Sequence, residues 1–231
     1  MSAIPRLLLL ETSTGRSGFV ALAEGPELRG QRRLDEARRH ARDLAPAVRS
    51  LLHEASWKPR DVHAVVVCRG PGSYTGLRVG LMSAKTFAYA TGCVLLGIDT
   101  FAAVAHQAPA EVTRLDVLAD AQQDKVYVQP FGREGDSWKA LAPLAIRRFV
   151  EWQQEREASA WVTGPGLRKW EAHLAPEVPR VESSQWEPGA ASVLRLGLAR
   201  YLAGERDDVW NLEPLYLRPS SAEEQWQALG K

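Results

Sequence analysis

Apolar runs separated by turn-forming residues open the chain. Residues 7–10 are all leucine, a hydroxyl-rich stretch follows, and a second apolar run covers residues 18–23. Wholly apolar runs of this length, bounded by turn formers, are typical of buried strands. Residues 28–34 are more polar, which is typical of a strand near the edge of a sheet. The pattern therefore predicts three antiparallel strands, the first two joined as a hairpin.

The next segment changes to a helical period. Apolar residues recur on one stripe between residues 44 and 55, and the charged residues lie off that stripe. Pro46 is compatible with a helix if Asp43 is the N-cap, because the proline then lies in the first turn, where its missing N–H would have no partner. A helix from about residue 43 to 56 is predicted.

A strand, helix, strand unit completes the first hundred residues. Residues 62–68 and 94–98 are nearly continuous apolar runs, and between them lie a glycine-rich loop and a helix predicted over residues 76–90. Parallel strands joined through a helix form a crossover connection. The resulting order βββαβαβ is that of an RNase H-like half, so the predicted fold class is α/β.

The rest of the chain resembles a second, abbreviated α/β lobe. It contains two predicted strands, at residues 115–119 and 126–131, around a turn at residues 122–124. Further on, a helix, a strand and two helices are predicted at residues 146–156, 161–163, 167–174 and 190–202. The predicted domains are an N-terminal lobe at 1–107, a smaller second lobe at 108–205 and a tail at 206–231 that packs back on the protein.

Composition and charge narrow the function classes. The 231 residues are 45% hydrophobic and 25% charged, as in an ordinary globular protein. The chain has 29 Lys and Arg against 28 Asp and Glu. This balance does not indicate a protein that binds a nucleic-acid backbone by itself, because such proteins usually have a clear basic excess. Cys68 and Cys93 lack metal-ligand spacing and are predicted to be buried, reduced thiols, which fits the cytoplasm. The first apolar run is too short for a signal peptide or a membrane span, so no membrane association is expected.

The glycine-rich loop is the first candidate for ligand binding. It lies between a strand and a helix N-terminus, where backbone N–H groups and the helix dipole favour anions. Its glycines miss the dinucleotide-binding spacing, and no Gly-Lys-Ser/Thr follows for a P-loop. Two alternatives stay open: a structural turn that starts a helix, and a phosphate or anion loop. The residues of that loop would be Thr12, Ser13, Gly72, Ser73 and Thr75.

Candidate catalytic groups are sparse. None of the five histidines is spaced for a metal-binding pair, so neither a metal site nor a catalytic residue is predicted. Glu11, Asp99 and Asp120 follow predicted strands and could each reach a cleft, which leaves an acidic site open.

The helix predicted after the glycine loop has more than one apolar face. Between Leu77 and Ala90 its only charges are Arg78 and Lys85. A helix on a sheet needs one buried stripe, so the outer side of this helix is expected to be covered as well. The cover would be the first helix, the second lobe or another protein, and small residues would allow a close interface between helices.

Three segments together resemble the TsaB (YeaZ) family. They are Gly-Pro-Gly-Ser-Tyr-Thr-Gly-Leu-Arg-Val-Gly at residues 70–80, Leu-Glu-Thr-Ser-Thr at 10–14 and Pro-Leu-Tyr-Leu-Arg at 214–218. The resemblance spans the whole chain in order and length. The stretch from Arg39 to Pro46 also resembles the family's His-Ser-x-x-Leu-x-Pro motif, with Ala41 in place of the usual serine.

This resemblance implies an actin-like ATPase (ASKHA, RNase H-like) fold with two lobes and a role in making N6-threonylcarbamoyladenosine at position 37 of tRNAs that read codons starting with adenine. The family member is a non-catalytic subunit that pairs with its paralogue TsaD, is joined by the ATPase TsaE, meets tRNA only through the complex and is expected to be a homodimer alone. No tightly bound cofactor is implied, and ATP or ADP would bind only at the assembled complex.

The pairing with TsaD is implied to use the two N-terminal helices. TsaD carries a His-Met-Glu-Gly-His metal motif after the strand equivalent to residues 94–98, whereas this chain has Thr-Phe-Ala-Ala-Val at 100–104, without imidazole ligands. The predicted partner-binding residues are His40, Leu44, Val48, Leu51, Leu77, Gly80, Leu81, Ala84, Lys85 and Ala88.

Two other functions are compatible with the fold. Sugar and acetate kinases share this superfold, so an ATP-dependent phosphotransferase or ATPase is the main alternative. Such an enzyme needs a general base and a magnesium-binding carboxylate, for which Glu11 is the obvious candidate. A protease acting on TsaD is the second alternative, although no Ser/His/Asp set is recognisable.

Overall fold

A computed structural model describes residues 4–14, 18–34 and 40–217. The start of the motif at Arg39 and the tail beyond residue 217 lie outside the described residues, as do the side chains of His40 and Ala41.

Five strands form the first sheet, and their order agrees with the sequence pattern. They are β1 (Arg6–Glu11), β2 (Phe19–Glu24), β3 (Glu27–Arg33), β4 (Ala64–Cys68) and β5 (Val94–Ile98). In space the order is β3-β2-β1-β4-β5. β1, β2 and β3 are antiparallel, whereas β4 is parallel to β1 and β5 is parallel to β4. The predicted order βββαβαβ is confirmed.

Six α-helices lie within the described residues. They are α1 (His40–Glu54), α2 (Tyr74–Thr91), α3 (Thr100–Ala105), α4 (Phe149–Glu155), α5 (Leu167–Trp170) and α6 (Ala190–Leu202). α1 and α2 cover one face of the first sheet, where they pack on Leu8 and Leu10. α6 covers the opposite face, which includes Leu7 and Leu9. Because successive side chains of a strand point to opposite faces, a run of four leucines is what a strand covered on both sides requires.

The start of α1 differs from the prediction. The helix begins no later than His40, so Asp43 is not its N-cap and Pro46 lies in its interior. An interior proline removes one backbone hydrogen bond and crowds the preceding turn. The burial of Leu44, Leu51 and Leu52 against the sheet offsets that cost, because tertiary packing supplies most of the stability of such a helix.

The second sheet belongs to the later half of the chain. Its strands are β6 (Arg114–Asp120), β7 (Lys125–Glu134), β8 (Ser137–Ala140), β9 (Ala145–Arg148) and β10 (Trp161–Thr163), in the order β10-β6-β7-β8 with β9 also paired to β7. The turn predicted at residues 122–124 is present, and all three residues have positive φ. The short strands β8 and β9 and the helix α3 were not predicted.

α6 packs across the predicted lobe boundary. It lies within the stretch assigned to the second lobe, but its Ala190, Val193 and Leu194 pack on the first sheet. At Gly197 the helix comes so close to β4 that an added Cβ would press on Val66. α6 therefore packs on the first sheet although it lies in the stretch predicted as the second lobe, and the domain limits stay a prediction.

The chain beyond α6 returns to the first sheet. Residues 206–217 run beside the edge strand β5 and over α2, and Leu212 is buried there. No helix within the described residues is long and apolar enough to cross a lipid bilayer.

Candidate functional site

The turn after β1 and the glycine-rich loop before α2 are in direct contact. The Ser73 N–H donates to the Ser13 carbonyl at 2.7 Å, and the Thr12 hydroxyl donates to the Gly76 carbonyl at 2.7 Å. Ser73 is the N-cap of α2, and its hydroxyl accepts from the Gly76 N–H at 3.3 Å. The N–H groups of Ser73 and Gly76 are therefore already used within the chain.

Three glycines make this contact sterically feasible. Gly72, Gly76 and Gly80 are spaced four residues apart, so they follow one side of the α2 start. An added Cβ would overlap the Ser13 carbonyl at Gly72, the Thr12 carbonyl at Gly76 and the Thr12 hydroxyl at Gly80. The glycine spacing therefore serves the close approach of the β1 turn to the helix.

A chain of buried polar groups lies directly behind the contact. The Gly70 N–H donates to the Thr100 hydroxyl at 3.2 Å, which donates to the Ser13 hydroxyl at 3.1 Å. The Ser13 hydroxyl in turn donates to Oε1 of Glu11 at 2.7 Å, and the Thr14 N–H donates to the same oxygen at 3.0 Å. These bonds fix the two loops and the start of α3 relative to one another.

Glu11 is fully buried at the end of β1. Its Oε2 lacks a hydrogen bond of normal geometry among the described residues, although the Cys68 thiol is close enough to interact with the carboxylate. Burial raises the pKa of the Glu11 carboxyl above its ordinary value of 4.5, while the Cys68 thiol and the Ser13 hydroxyl lower it. The prediction that Glu11 reaches a cleft is wrong.

The two cysteines differ in burial. Cys68 is free and fully buried, and burial together with the Glu11 carboxylate raises the pKa of its thiol well above 9.0. Cys93 is free and only partly buried, and burial also raises the pKa of its thiol. Both cysteines are free, and the prediction that they are buried holds for Cys68 but not for Cys93.

The geometry favours a structural role for the glycine loop over phosphate binding. Thr12 and Ser13 are buried, and the Thr12 hydroxyl and the Ser13 carbonyl already form hydrogen bonds with the glycine loop. Ser73 and Thr75 are exposed. A phosphate touching both loops would have to lie where the main chain of residues 12 and 13 meets the helix. The other two predicted acidic groups are held by cations, Asp99 by Arg69 and Asp120 by Lys169.

Most of the predicted partner-binding side chains face the interior of this chain. Leu77 is 1% exposed and Leu81 is 3% exposed, because both pack on the first sheet or its loops. The buried set is Leu44, Leu51, Leu77, Gly80, Leu81, Ala84 and Ala88. Val48 and Lys85 are partly exposed, and the His40 side chain lies outside the described residues. For the seven buried residues the assignment as surface contacts is corrected, whereas Val48, Lys85, His40 and the pairing through the two helices stay predictions.

The outer surface of α2 is formed by other residues. We define the outer α2 surface as the residues Arg78, Met82, Lys85 and Tyr89. Met82 is 59% exposed and Tyr89 is 72% exposed. Sequence reasoning missed these two, although their spacing of seven residues, with Arg78 four residues before Met82, puts them on one helical stripe.

The segment that corresponds to the TsaD metal motif forms α3 here. Thr100 is fully buried as the hydrogen-bonded group described above, and Val104 is buried in the apolar core next to Phe101. Across residues 4–14, 18–34 and 40–217, no group of three His, Cys, Asp or Glu side chains is arranged to hold a metal ion.

Comparisons with known proteins agree with this architecture. The family model described as "TsaD: tRNA N6-adenosine threonylcarbamoyltransferase" matches residues 35–167. The tRNA threonylcarbamoyladenosine biosynthesis protein TsaB of Escherichia coli is 28% identical over 83% of this chain and 85% of its own length. The protein of the same name from Bacillus subtilis is 27% identical over 81% and 83%.

A solved structure shows the same fold. The solved structure named YeaZ from Pseudomonas aeruginosa is 26% identical and superposes with a TM-score of 0.77, covering 93% of this chain and all of that one. The fold is thus of the actin-like ATPase type, as predicted. With a family model matched over more than half of its length and TsaB relatives over most of it, this chain belongs to the TsaD family and, within it, to the TsaB (YeaZ) group.

Proposed function

We propose that this chain acts in the formation of threonylcarbamoyladenosine in tRNA, as a non-catalytic subunit that pairs with a TsaD-type paralogue. The paralogue would transfer the threonylcarbamoyl group to N6 of adenosine 37 in tRNAs that read codons starting with adenine, and a TsaE-type ATPase would join the pair. The names of the TsaB relatives support the role in this modification. The cytoplasm is the proposed compartment.

The contact between the β1 turn and the glycine-rich loop supports the proposal that this subunit is non-catalytic. In an ATPase of this fold the loops that follow the strands would have to leave room for phosphate groups and a metal ion. Here that space is crossed by two hydrogen bonds, from the Ser73 N–H to the Ser13 carbonyl and from the Thr12 hydroxyl to the Gly76 carbonyl. Three glycines allow the two main chains to approach this closely. Nucleotide binding is therefore proposed only at the assembled complex.

The kinase alternative lacks support from Glu11. A general base or metal-binding carboxylate has to reach the substrate, and Glu11 is fully buried with a raised pKa. Its Oε1 is already occupied by Ser13 and Thr14. These observations favour the subunit role over an ATP-dependent phosphotransferase.

The charge balance of the chain supports an indirect contact with tRNA. A formal charge of +1 gives little general attraction for a phosphate backbone. We therefore propose that the partner makes most of the contacts with tRNA. We also propose that the outer α2 surface and the exposed side of α1 face that partner.

The test is complex formation with the TsaD-type paralogue of the same cell. Light scattering should give a one-to-one complex, and digestion of the tRNA to nucleosides should show the modified adenosine only when both proteins, the ATPase and the threonylcarbamoyl donor are present. Met82→Asp on the outer α2 surface should weaken the complex. Leu202→Asp is the matched control, because Leu202 is 69% exposed on α6, at the opposite face of the sheet.

Two results would contradict the proposal. The first is full modification of tRNA by the paralogue without this chain. The second is hydrolysis of ATP by this chain alone, abolished by Glu11→Gln, which would establish the kinase-like alternative. A Leu81→Asp variant is unsuitable here, because Leu81 is 3% exposed and its loss would report on folding.

A further inference from the structure

The carboxyl group of Glu11 is enclosed behind the contact between the β1 turn and the glycine-rich loop. Because side chains alternate along β1, Glu11 lies on the same face of the first sheet as Leu7 and Leu9, which α6 covers. Cys68, at the end of the neighbouring strand β4, belongs to this face as well. The Glu11 side chain is 0% exposed, so its carboxyl has no contact with bulk water.

The two oxygens of this carboxyl have different surroundings. Oε1 accepts from the Ser13 hydroxyl at 2.7 Å and from the Thr14 N–H at 3.0 Å. Oε2 has no hydrogen bond of normal geometry among the described residues, although the Cys68 thiol interacts with the same carboxyl. An enclosed carboxylate oxygen needs donors, whereas a protonated oxygen is itself a donor. The arrangement therefore fits a neutral carboxyl whose proton is on Oε2.

The groups around Glu11 also favour its neutral form. Burial has the largest effect and raises the pKa of the carboxyl above 4.5. The Cys68 thiol is neutral, since its pKa lies well above 9.0, and Asp99 at the end of β5 is paired with Arg69 at 2.7 Å. The side chains from α3 and α6 in this core are apolar, namely Ala103, Ala190, Val193 and Leu194. Among the charged residues that the structure describes, none forms an ion pair with Glu11.

The same carboxyl holds the β1 turn in place. Ser13 donates its hydroxyl to Glu11, and the Ser13 carbonyl accepts from the Ser73 N–H at 2.7 Å. The Ser13 hydroxyl also accepts from the Thr100 hydroxyl at 3.1 Å. A buried carboxylate without a cation is costly unless water reaches it. Because residues 12–14 follow Glu11 directly, the shortest route for water is a movement of this turn away from the start of α2.

We propose that the contact between the β1 turn and the glycine-rich loop is controlled by the proton on Glu11. With a neutral Glu11 the turn is closed on the start of α2, and the proton on Oε2 is directed at the sulfur of Cys68. Release of this proton to water opens the turn, hydrates the carboxylate and frees the N–H groups of Thr14 and Ser73. This inference does not rest on the proposed function, because it concerns the chain without its partner.

The pH range of the opening follows from proton linkage. In the open state Glu11 is hydrated and has its ordinary pKa of 4.5, whereas its pKa in the closed state is raised. The closed state is therefore fully favoured below pH 4.5 and loses its advantage as the pH rises to the closed-state pKa. Within this range the ratio of open to closed molecules should increase about ten-fold for each pH unit. Above the closed-state pKa the ratio should be constant.

Hydrogen exchange of backbone amides, followed by NMR on the full chain, measures the opening. Dividing each exchange rate by the rate of an unprotected amide at the same pH gives the opening equilibrium. For Thr14 and Ser73 this equilibrium should increase about ten-fold per pH unit above 4.5. The amides of the central strand β4 should open much less often, because they exchange only when the whole domain unfolds.

Two variants separate the Glu11 proton from other effects of pH. Glu11→Gln keeps an acceptor at Oε1 and places an uncharged donor at the position of Oε2, so the opening at Ser73 should no longer depend on pH. Asp116→Asn is the matched control, because Asp116 is another buried carboxyl with a raised pKa, located in the second sheet. This control should leave the pH dependence at Ser73 unchanged.

The carboxyl carbon signal of Glu11 reports its protonation directly in the unaltered chain. It should remain that of a neutral carboxyl at pH values where the exposed glutamates are ionised. This measurement and the exchange of the unaltered chain decide the question even if Glu11→Gln does not fold.

Three results would overturn the inference. The first is a Glu11 carboxyl that titrates together with the exposed glutamates. The second is an opening at Thr14 and Ser73 that is independent of pH, or that has the same pH dependence in Glu11→Gln. The third is an opening at these two amides that is no more frequent than in β4, because the turn would then open only when the domain unfolds.

Discussion

Gly80 gives the sharpest test of the contact between the β1 turn and α2. In an ordinary helix interior, Gly→Ala stabilises a protein by about 1 kcal/mol, because alanine is the better helix former. At Gly80 the new methyl group would overlap the Thr12 hydroxyl, and overpacking of a well-packed site costs about 1–3 kcal/mol. Gly80→Ala should therefore lower the free energy of unfolding instead of raising it.

A second substitution shows whether the overlap is the cause. Thr12→Ala removes the hydroxyl, and with it the hydrogen bond to the Gly76 carbonyl, at a cost of about 1–3 kcal/mol. In the double variant the methyl group at position 80 would have only ordinary contacts, with the Cβ of residue 12 at 3.4 Å and Val67 at 3.6 Å. The two losses should therefore be less than additive, with a coupling of about 1–2 kcal/mol.

Gly76→Ala is the matched comparison. Its methyl group would overlap the Thr12 carbonyl, which belongs to the main chain and remains in Thr12→Ala. Thr12→Ala should therefore rescue the Gly80 variant but not the Gly76 variant. Urea unfolding followed by circular dichroism measures all the free energies, with the exposed Thr86→Ala as a helix-propensity control. A rise in stability for Gly80→Ala, or strict additivity with Thr12→Ala, would refute the reasoning.

Two further predictions concern buried ionisable groups. Because burial raises the pKa of Glu11 above 4.5, its stabilising contribution is complete below pH 4.5 and is lost as the pH rises through the folded-state pKa. Glu11→Gln should therefore remove part of the loss of stability as the pH rises above 4.5, as measured by urea midpoints, and an unchanged slope would contradict this. The raised pKa and full burial of Cys68 should keep its thiol unreactive towards an aromatic disulfide reagent in the folded chain at neutral pH, with Cys93 labelled first. Equal labelling rates for Cys68 in buffer and in urea would argue against that environment.

The regular elements of the core were predictable because their signals are local. β5, β10 and α6 have the predicted bounds, since each is an apolar run or stripe delimited by glycine, proline or polar residues. β8 and β9 were missed because each has four residues and depends on pairing with β7. The start of α1 was misjudged because the rule on proline describes an isolated helix, whereas packing on the sheet decides this one.

The sequence by itself determined the fold class, the order of strands and helices along the first lobe, and the family, because buried strands and the glycine segment carry strong local patterns. Only the tertiary structure decided that Glu11 is enclosed, that the glycines accommodate the main chain of the β1 turn, and that Trp210 and Tyr216 lie beside α2. A helical stripe of small and apolar residues has the same pattern whether it packs on its own sheet or on another protein. Which side of α2 faces outward therefore depends on how the helix docks, through contacts between residues far apart in the chain.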